Sequence, residues 1–224
     1  FKKLLMKKFL VIGNPIEHSL SPKLHNYWIK NNGIEATYEK KKLDENELEH
    51  LVLQIKQKKI HGVNITIPFK KAIIPFLDKL TAEAQNTESV NTLYLKNNKV
   101  IGHNTDIIGF ETSIKESKFN IFKKEILILG AGGVVPSIIF ALNKMKVSKI
   151  KISNRTREKA ENLKKLFKNI EIIDWGVVPN FDMVINATSI GLKKKDHINL
   201  DFSSTSKNSL FYDVIYNPKE TNFL

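Results

Sequence analysis

Glu125-Ile126-Leu127-Ile128-Leu129-Gly130-Ala131-Gly132-Gly133-Val134-Val135-Pro136 reads as a strand, a glycine turn and a helix start in direct succession. The apolar run has the length of a buried strand. Gly130-x-Gly132-Gly133 then forces a tight turn. Pro136 lacks an N–H and suits the first turn of a helix. A dinucleotide site needs this context, because glycines let backbone N–H groups approach a pyrophosphate and a helix N-terminus favours its charge. The third glycine of the G-x-G-x-x-G pattern is Val135 here, and a larger residue at that place is expected to push the helix outward.

The segments downstream keep the alternation. Residues 149–153 read as a strand, 156–167 as a helix, and 170–173, 183–186 and 210–215 as further strands. Strands alternating with helices imply a parallel sheet with both faces covered. An NAD site wants an acid about 20 residues after the glycine turn, for the ribose hydroxyls. Here the corresponding strand ends Ser153-Asn154-Arg155-Thr156-Arg157, and these are the two arginines of the whole chain. A guanidinium pairs bidentately with a phosphate, so the position points to the 2′-phosphate of NADP. The alternative is a plain basic helix start, which the helix macrodipole disfavours.

Upstream the chain follows the same logic. Residues 9–12 are a strand closed by Gly13-Asn14-Pro15. Ser21 is expected to cap a helix with Pro22 in its first turn, running to about Asn32 and stopped by Gly33. A strand at 36–41 precedes a capping box, Asp44 with Glu47, and a helix carrying Leu48, Leu51, Val52 and Ile55 on one face. Val63, Ile65 and Ile67 alternate with Asn64 and Thr66, the period of a strand, which Pro68 ends before Phe69 and Lys70. Thr81 caps a later helix. A strand from Val90 turns at Asn97-Asn98 into Val100-Ile101, and a helix opens at Asp106 and runs to about Lys118. The domain boundary is expected near Asp106, giving residues 1–106 and 107–224.

Several polar residues fall just past the ends of these elements. Ser19 and Ser21 at a helix N-terminus can cap it, and the same two hydroxyls can also hold a carboxylate. Asn91 and Asp106 taken singly read as turn or cap residues. Together with Asn64, Thr66 and Lys70 they line one rim of a sheet, the place where open α/β sheets bind ligands. An amide, a hydroxyl and an amine suit a small polyhydroxylated ligand; the plain alternative is an ordinary strand followed by a solvated lysine.

The composition of the 224-residue chain, 42% apolar and 26% charged, is that of a soluble globular protein. No apolar run approaches the roughly 18 residues of a membrane span. The patch near Met6, itself a candidate start, is too short for a signal peptide, so a cytoplasmic location is expected. There is no cysteine, and the six histidines show no metal-protease spacing, so no metal is expected. The formal charge of +13 invites a nucleic-acid partner. Scattered lysines argue against one, since phosphate-reading surfaces favour arginine forks.

These motifs in this order resemble the shikimate dehydrogenase family. The resemblance spans nearly the whole chain and rests on Ser19-Leu20-Ser21-Pro22, Gly62 to Lys70, Val90-Asn91-Thr92, Asn104-Thr105-Asp106, Gly130 to Gly133, Asn154-Arg155-Thr156, Asn186 to Gly191 and Asp213 to Tyr216. It implies an α/β protein of two domains: an N-terminal α/β substrate domain and a C-terminal Rossmann-like NADP-binding domain. The implied activity is reduction of 3-dehydroshikimate to shikimate with NADPH, in aromatic amino-acid biosynthesis. By resemblance Lys70 and Asp106 are the catalytic pair, and Ser19, Ser21, Asn64, Thr66, Asn91, Asp106 and Tyr216 hold the substrate. Gly130, Ala131, Gly132, Gly133, Val134, Asn154, Arg155, Thr156, Lys159 and Val214 hold the cofactor. The partner implied is a small molecule, with neither nucleic acid nor membrane; a homodimer is left open.

Four departures from the family pattern stand out. Family members continue past the position of Leu224 into a helical segment that bears a substrate-binding glutamine. Val135-Pro136 replaces small residues in the turn. Ala82 stands where a polar residue is common near the nicotinamide. The basic bias is the fourth. The competing readings are a quinate/shikimate enzyme that also accepts NAD, a non-catalytic cofactor-binding remnant, and, from charge alone, a nucleic-acid module.

Overall fold

The computed structural model describes residues 6–193 and 195–224. The chain divides into two compact units, one ending at Thr105 and the other beginning at Asp106.

In chain order the first unit comprises β1 (Lys7–Gly13), α1 (Ser21–Asn31), β2 (Ala36–Lys42), α2 (Leu48–Lys56), β3 (Gly62–Ile65), α3 (Phe69–Ala72), β4 (Lys79–Leu80), α4 (Ala82–Thr87), β5 (Thr92–Lys96) and β6 (Lys99–His103). The sheet order is β2-β1-β3-β5-β6-β4. Strands β1, β2 and β3 are parallel, whereas β5 runs antiparallel to both β3 and β6. The sheet is therefore mixed rather than all-parallel. The β5–β6 pairing has a local cause: Asn97 and Asn98 take φ of 51° and 57°, the left-handed pair of a two-residue hairpin turn.

The capping box forms, with Glu47 Oε2 accepting from the Asp44 N–H at 2.8 Å. The helix that follows buries Leu48, Leu51, Val52 and Ile55 against Leu10, Ile12, Val63 and Ile65. Helix α1 departs from expectation at its start. Ser21 is its first residue and caps nothing with its side chain; Ser19 Oγ accepts the Ser21 N–H at 3.3 Å instead. Strand β3 ends at Ile65, so Thr66 and Ile67 lie beyond it.

The second unit comprises α5 (Asp106–Glu116), β7 (Glu125–Leu129), α6 (Val135–Lys144), β8 (Lys149–Ser153), α7 (Arg157–Leu166), β9 (Ile170–Ile173), β10 (Met183–Asn186) and β11 (Leu210–Asp213). Its five strands are all parallel, in the order β11-β10-β7-β8-β9. Side chains alternate along a strand, so the two faces separate cleanly. Ile126, Ile128, Ile150, Ile152 and Ile185 face the side on which α5, α6 and α7 pack. Leu127, Leu129 and Val184 face the other side, which the alternation of strands and helices predicts to be covered as well. Irregular segments cover it, through Trp175, Val178, Ile198, Leu200, Phe181, Phe202 and Phe223, the phenylalanines meeting Phe211 of β11 in T-shaped or tilted contacts. Lys151 also points to this face, and its buried ammonium donates to Glu125 Oε2 at 2.6 Å and Asn180 O at 2.7 Å.

Candidate active site

In the first unit, strand direction decides which residues meet. Strands β1 and β3 run parallel, so their carboxyl ends lie on one edge of the sheet. Strand β5 is antiparallel to β3, which brings its beginning to that same edge; Asn64 stands opposite Thr92. Thr92 in turn stands opposite His103 at the end of β6. The segments carrying Ser19 and Ser21, Thr66 and Lys70, Asn91, and Asn104-Thr105 therefore all leave the sheet at one edge.

Short backbone bonds hold this edge together. Asn14 N–H donates to Ile67 O at 3.0 Å and Thr66 N–H to Ile12 O at 2.9 Å, joining the loop before α1 to the loop after β3. A Cβ on Gly13 would stand 2.5 Å from Thr66 Cγ2 and 3.0 Å from Ile67 O, so only glycine permits this approach. Lys70 is half-buried on α3, whose Phe69 side chain anchors in the core, and Val90 N–H donates to Lys70 O at 2.9 Å. The Lys71 ammonium lies on the surface, paired with Glu88 at 2.5 Å.

Sequence reasoning missed the polar network under this edge. Asn64 Nδ2 donates to Asn91 O at 3.3 Å and Thr92 Oγ1 at 3.1 Å. Thr92 Oγ1 donates to Asn91 Oδ1 at 3.0 Å, which also accepts from Thr105 N–H at 3.0 Å. Asn104 is buried and donates to Thr87 Oγ1 at 3.1 Å and Ser89 O at 3.0 Å. Thr92 and Thr105 lie inside motifs that the sequence singles out, but their place in this network shows only once the strands are paired.

In the second unit the chain runs from β7 through β8 to β9, then returns to β10 on the other side of β7. The carboxyl ends of β7 and β10 thus flank a topological switch point, where open α/β sheets take their ligands. The glycine turn lies there. Gly130 has φ of 106°, and a Cβ on it would stand 2.7 Å from Ala187 O after β10. Gly132 and Gly133 are exposed, and α6 opens directly behind them. Val135, expected to push the helix outward, is wholly buried in the core under the helix.

The turn after β8 is polar and open. Asn154 Nδ2 donates to Thr156 O at 2.8 Å. Arg155, Thr156 and Lys159 are exposed, and Arg155 makes no ion pair among the described residues. Arg157 differs, since its guanidinium is engaged by Glu161 and Asp174. After β10 and β11, Asn186 and Asp213 fix the remaining loops. Asn186 Nδ2 donates to Asp213 Oδ2 at 3.1 Å, and Asp213 also accepts from Ile215 N–H at 2.9 Å and Thr221 Oγ1 at 2.6 Å. Val214 is half-buried and its N–H donates to Asn186 O at 3.1 Å, and Tyr216 is 71% exposed. Asp106 and Tyr216 thus belong to the second unit, and the other expected substrate residues to the first.

The second unit fits NADP on its own geometry. A glycine that no side chain can replace lies at the switch point, a ten-residue helix opens behind it, and an exposed guanidinium follows the next strand. Among the described residues no group of three or more histidines and carboxylates stands together as a metal site, and no helix is long and apolar enough to cross a membrane.

Fold and site together define a two-domain α/β oxidoreductase with a Rossmann-like NADP-binding domain. A family model described as "Shikimate dehydrogenase substrate binding domain" matches residues 11–93, and one described as "Shikimate / quinate 5-dehydrogenase" matches residues 113–220. A shikimate dehydrogenase (NADP(+)) of Pelagibacter ubique is 61% identical over 98% of this chain and 83% of its own length. The crystal structure of shikimate dehydrogenase from Aquifex aeolicus superimposes with a TM-score of 0.88 at 35% identity, covering 100% of this chain and 84% of that one. The Thermus thermophilus enzyme, solved with NADP(H) and shikimate, gives a TM-score of 0.85 at 29% identity over 95% and 80% of the two chains. The chain belongs to the shikimate dehydrogenase family.

Proposed function

We propose that this protein reduces 3-dehydroshikimate to shikimate with NADPH, a step in aromatic amino-acid biosynthesis. Family membership supports the activity, and the observation that carries it onto these residues is the convergence of Ser19, Ser21, Asn64, Thr66, Lys70 and Asn91 on one sheet edge. We assign the first unit to the substrate and the second to NADP. Ser19 and Ser21 at the start of α1 bind the carboxylate, where the helix N-terminus favours negative charge. Asn64, Thr66, Asn91 and Tyr216 bond the hydroxyls. Bound NADPH supplies the hydride. Reducing a ketone leaves an alkoxide that needs a proton, and an ammonium is a donor at neutral pH. Lys70 gives that proton and takes it back in the reverse direction, while Asp106 orients the amine and bonds a substrate hydroxyl. Gly130 to Val134 bind the pyrophosphate, Asn154, Arg155, Thr156 and Lys159 the 2′-phosphate end, and Val214 packs against the cofactor. The reading places the enzyme in the cytoplasm.

The direct test is NADPH oxidation on adding 3-dehydroshikimate, with quinate and NAD as comparison substrates in the reverse reaction. Turnover with shikimate and NADP far above that with quinate or NAD is expected; no turnover overturns the reading. The cofactor assignment has its own test. Arg155→Ser removes a charge-assisted bond worth about 1.5–3 kcal/mol, so the KM for NADP rises about 10- to 100-fold while that for NAD stays within about twofold. Equal effects on both cofactors would show that Arg155 does not read the phosphate.

A further inference from the structure

We propose that Tyr38 is a positioning residue for substrate binding, its hydroxyl locking the Asn64 amide in the orientation that presents the polar edge of the first sheet. The inference rests on the assignment of that edge to shikimate. Tyr38 lies on the edge strand β2 and is 4% exposed. Its ring reaches across β1, the strand between, and its hydroxyl donates to Asn64 Oδ1 on β3 at 2.7 Å.

The ring is held on every side. His25 stacks on it, with centroids 4.1 Å apart and planes within 4°. Asn26 clamps its backbone, accepting from Tyr38 N–H at 3.0 Å and donating to Tyr38 O at 2.8 Å. Val11, Ile16 and Ile29 pack around it. Burial pushes the phenol well above its ordinary range, so it stays a proton donor at any working pH. Burial likewise holds the His25 imidazole low and neutral, which suits a stacked ring.

Two partners on opposite sides hold Asn64 in one orientation. Asn91 O can only accept, so the NH₂ faces it and Thr92 Oγ1, and the carbonyl oxygen faces Tyr38, whose hydroxyl donates to it. Thr92 and Asn91 then have their own directions set, and the sequence of bonds ends at Thr105, the residue before Asp106. Without the hydroxyl, Asn64 Oδ1 loses its donor and the amide is held from the Asn91 and Thr92 side alone, so it is less firmly placed at the substrate edge. Tyr38 touches no substrate in this scheme; it acts through Asn64.

Tyr38→Phe keeps the stack and the packing and removes the hydroxyl alone. The expected result is a rise in shikimate KM of about tenfold, with NADP KM within about twofold and the thermal midpoint within a few degrees of wild type. Asn64→Ala raises shikimate KM too, and the double variant raises it no further than Asn64→Ala alone, because the two act as one unit. Val11→Ala loosens the same cluster without touching the hydroxyl; it lowers the thermal midpoint and leaves shikimate KM unchanged. A Tyr38→Phe enzyme with unchanged shikimate KM, equal rises for shikimate and NADP, or additive effects in the double variant overturns the positioning role alone. A wild-type chain that neither turns over nor binds shikimate overturns the proposed function, and this inference with it.

Discussion

Lys70→Met is expected to lower kcat for shikimate oxidation by about 10²- to 10⁴-fold, the range that general acid–base help supplies. Methionine keeps the length and apolar stem of lysine and loses only the ammonium. The backbone around it should stay put, because Phe69 is buried beneath the short helix and Val90 N–H holds Lys70 O at 2.9 Å. Shikimate KM changes only a few-fold if the ammonium acts mainly in the transition state. Lys71 cannot take over in the next position, since its ammonium is turned to the surface and paired with Glu88. Steady-state kinetics with each variant decide the matter. A kcat drop below about tenfold would mean that Lys70 binds substrate and does not move the proton.

The second large effect is expected at Gly130. Its φ of 106° is a conformation that side-chain-bearing residues rarely adopt, at a cost of about 1–3 kcal/mol. The missing Cβ matters more. It would sit 2.7 Å from Ala187 O and 2.8 Å from Ala187 C, and both are backbone atoms that cannot swing aside. Gly130→Val therefore forces the glycine turn away from β10. Thermal unfolding of the full chain should show a midpoint lower by many degrees, and a fluorescence titration should show NADPH binding weakened by about tenfold or more. Gly132→Ala is the contrast, because the nearest atom to its Cβ, Ala187 O, lies at 3.9 Å. It should fold as wild type, so that any loss of NADPH affinity reports the approach of the cofactor. A Gly130→Val protein with wild-type midpoint and affinity would remove the turn from the cofactor site.

The range over which each signal acts explains what is legible in the sequence and what is not. The strand–glycine–proline sequence at residues 125–136, the Asp44 and Glu47 capping box and the Asn97-Asn98 turn each depend on a few neighbouring residues, and each forms as expected. Backbone conformation there is a local steric matter. Ser21 behaves differently: it opens α1 without capping it, since the segment ahead of the helix is bonded to the loop after β3 rather than free to adopt the best cap. The second face of the parallel sheet is covered, as expected, but by segments the sequence did not specify. Long apolar strands say that both faces are buried, and say nothing about whether helices or phenylalanine-rich loops bury them.

The amino-acid order by itself determined the α/β class, the glycine turn, the guanidinium that follows the next strand and the polar residues that end each strand. These are matters of period, turn chemistry and residue type over short windows. Only the tertiary structure decided that β5 lies antiparallel to β3 and brings Asn91 beside Asn64, that Asp174 engages Arg157 while Arg155 stands open, and that Tyr38 reaches across a strand to Asn64. Each of these depends on which elements lie next to which, and contacts between residues 17 to 27 positions apart leave no periodic trace along the chain.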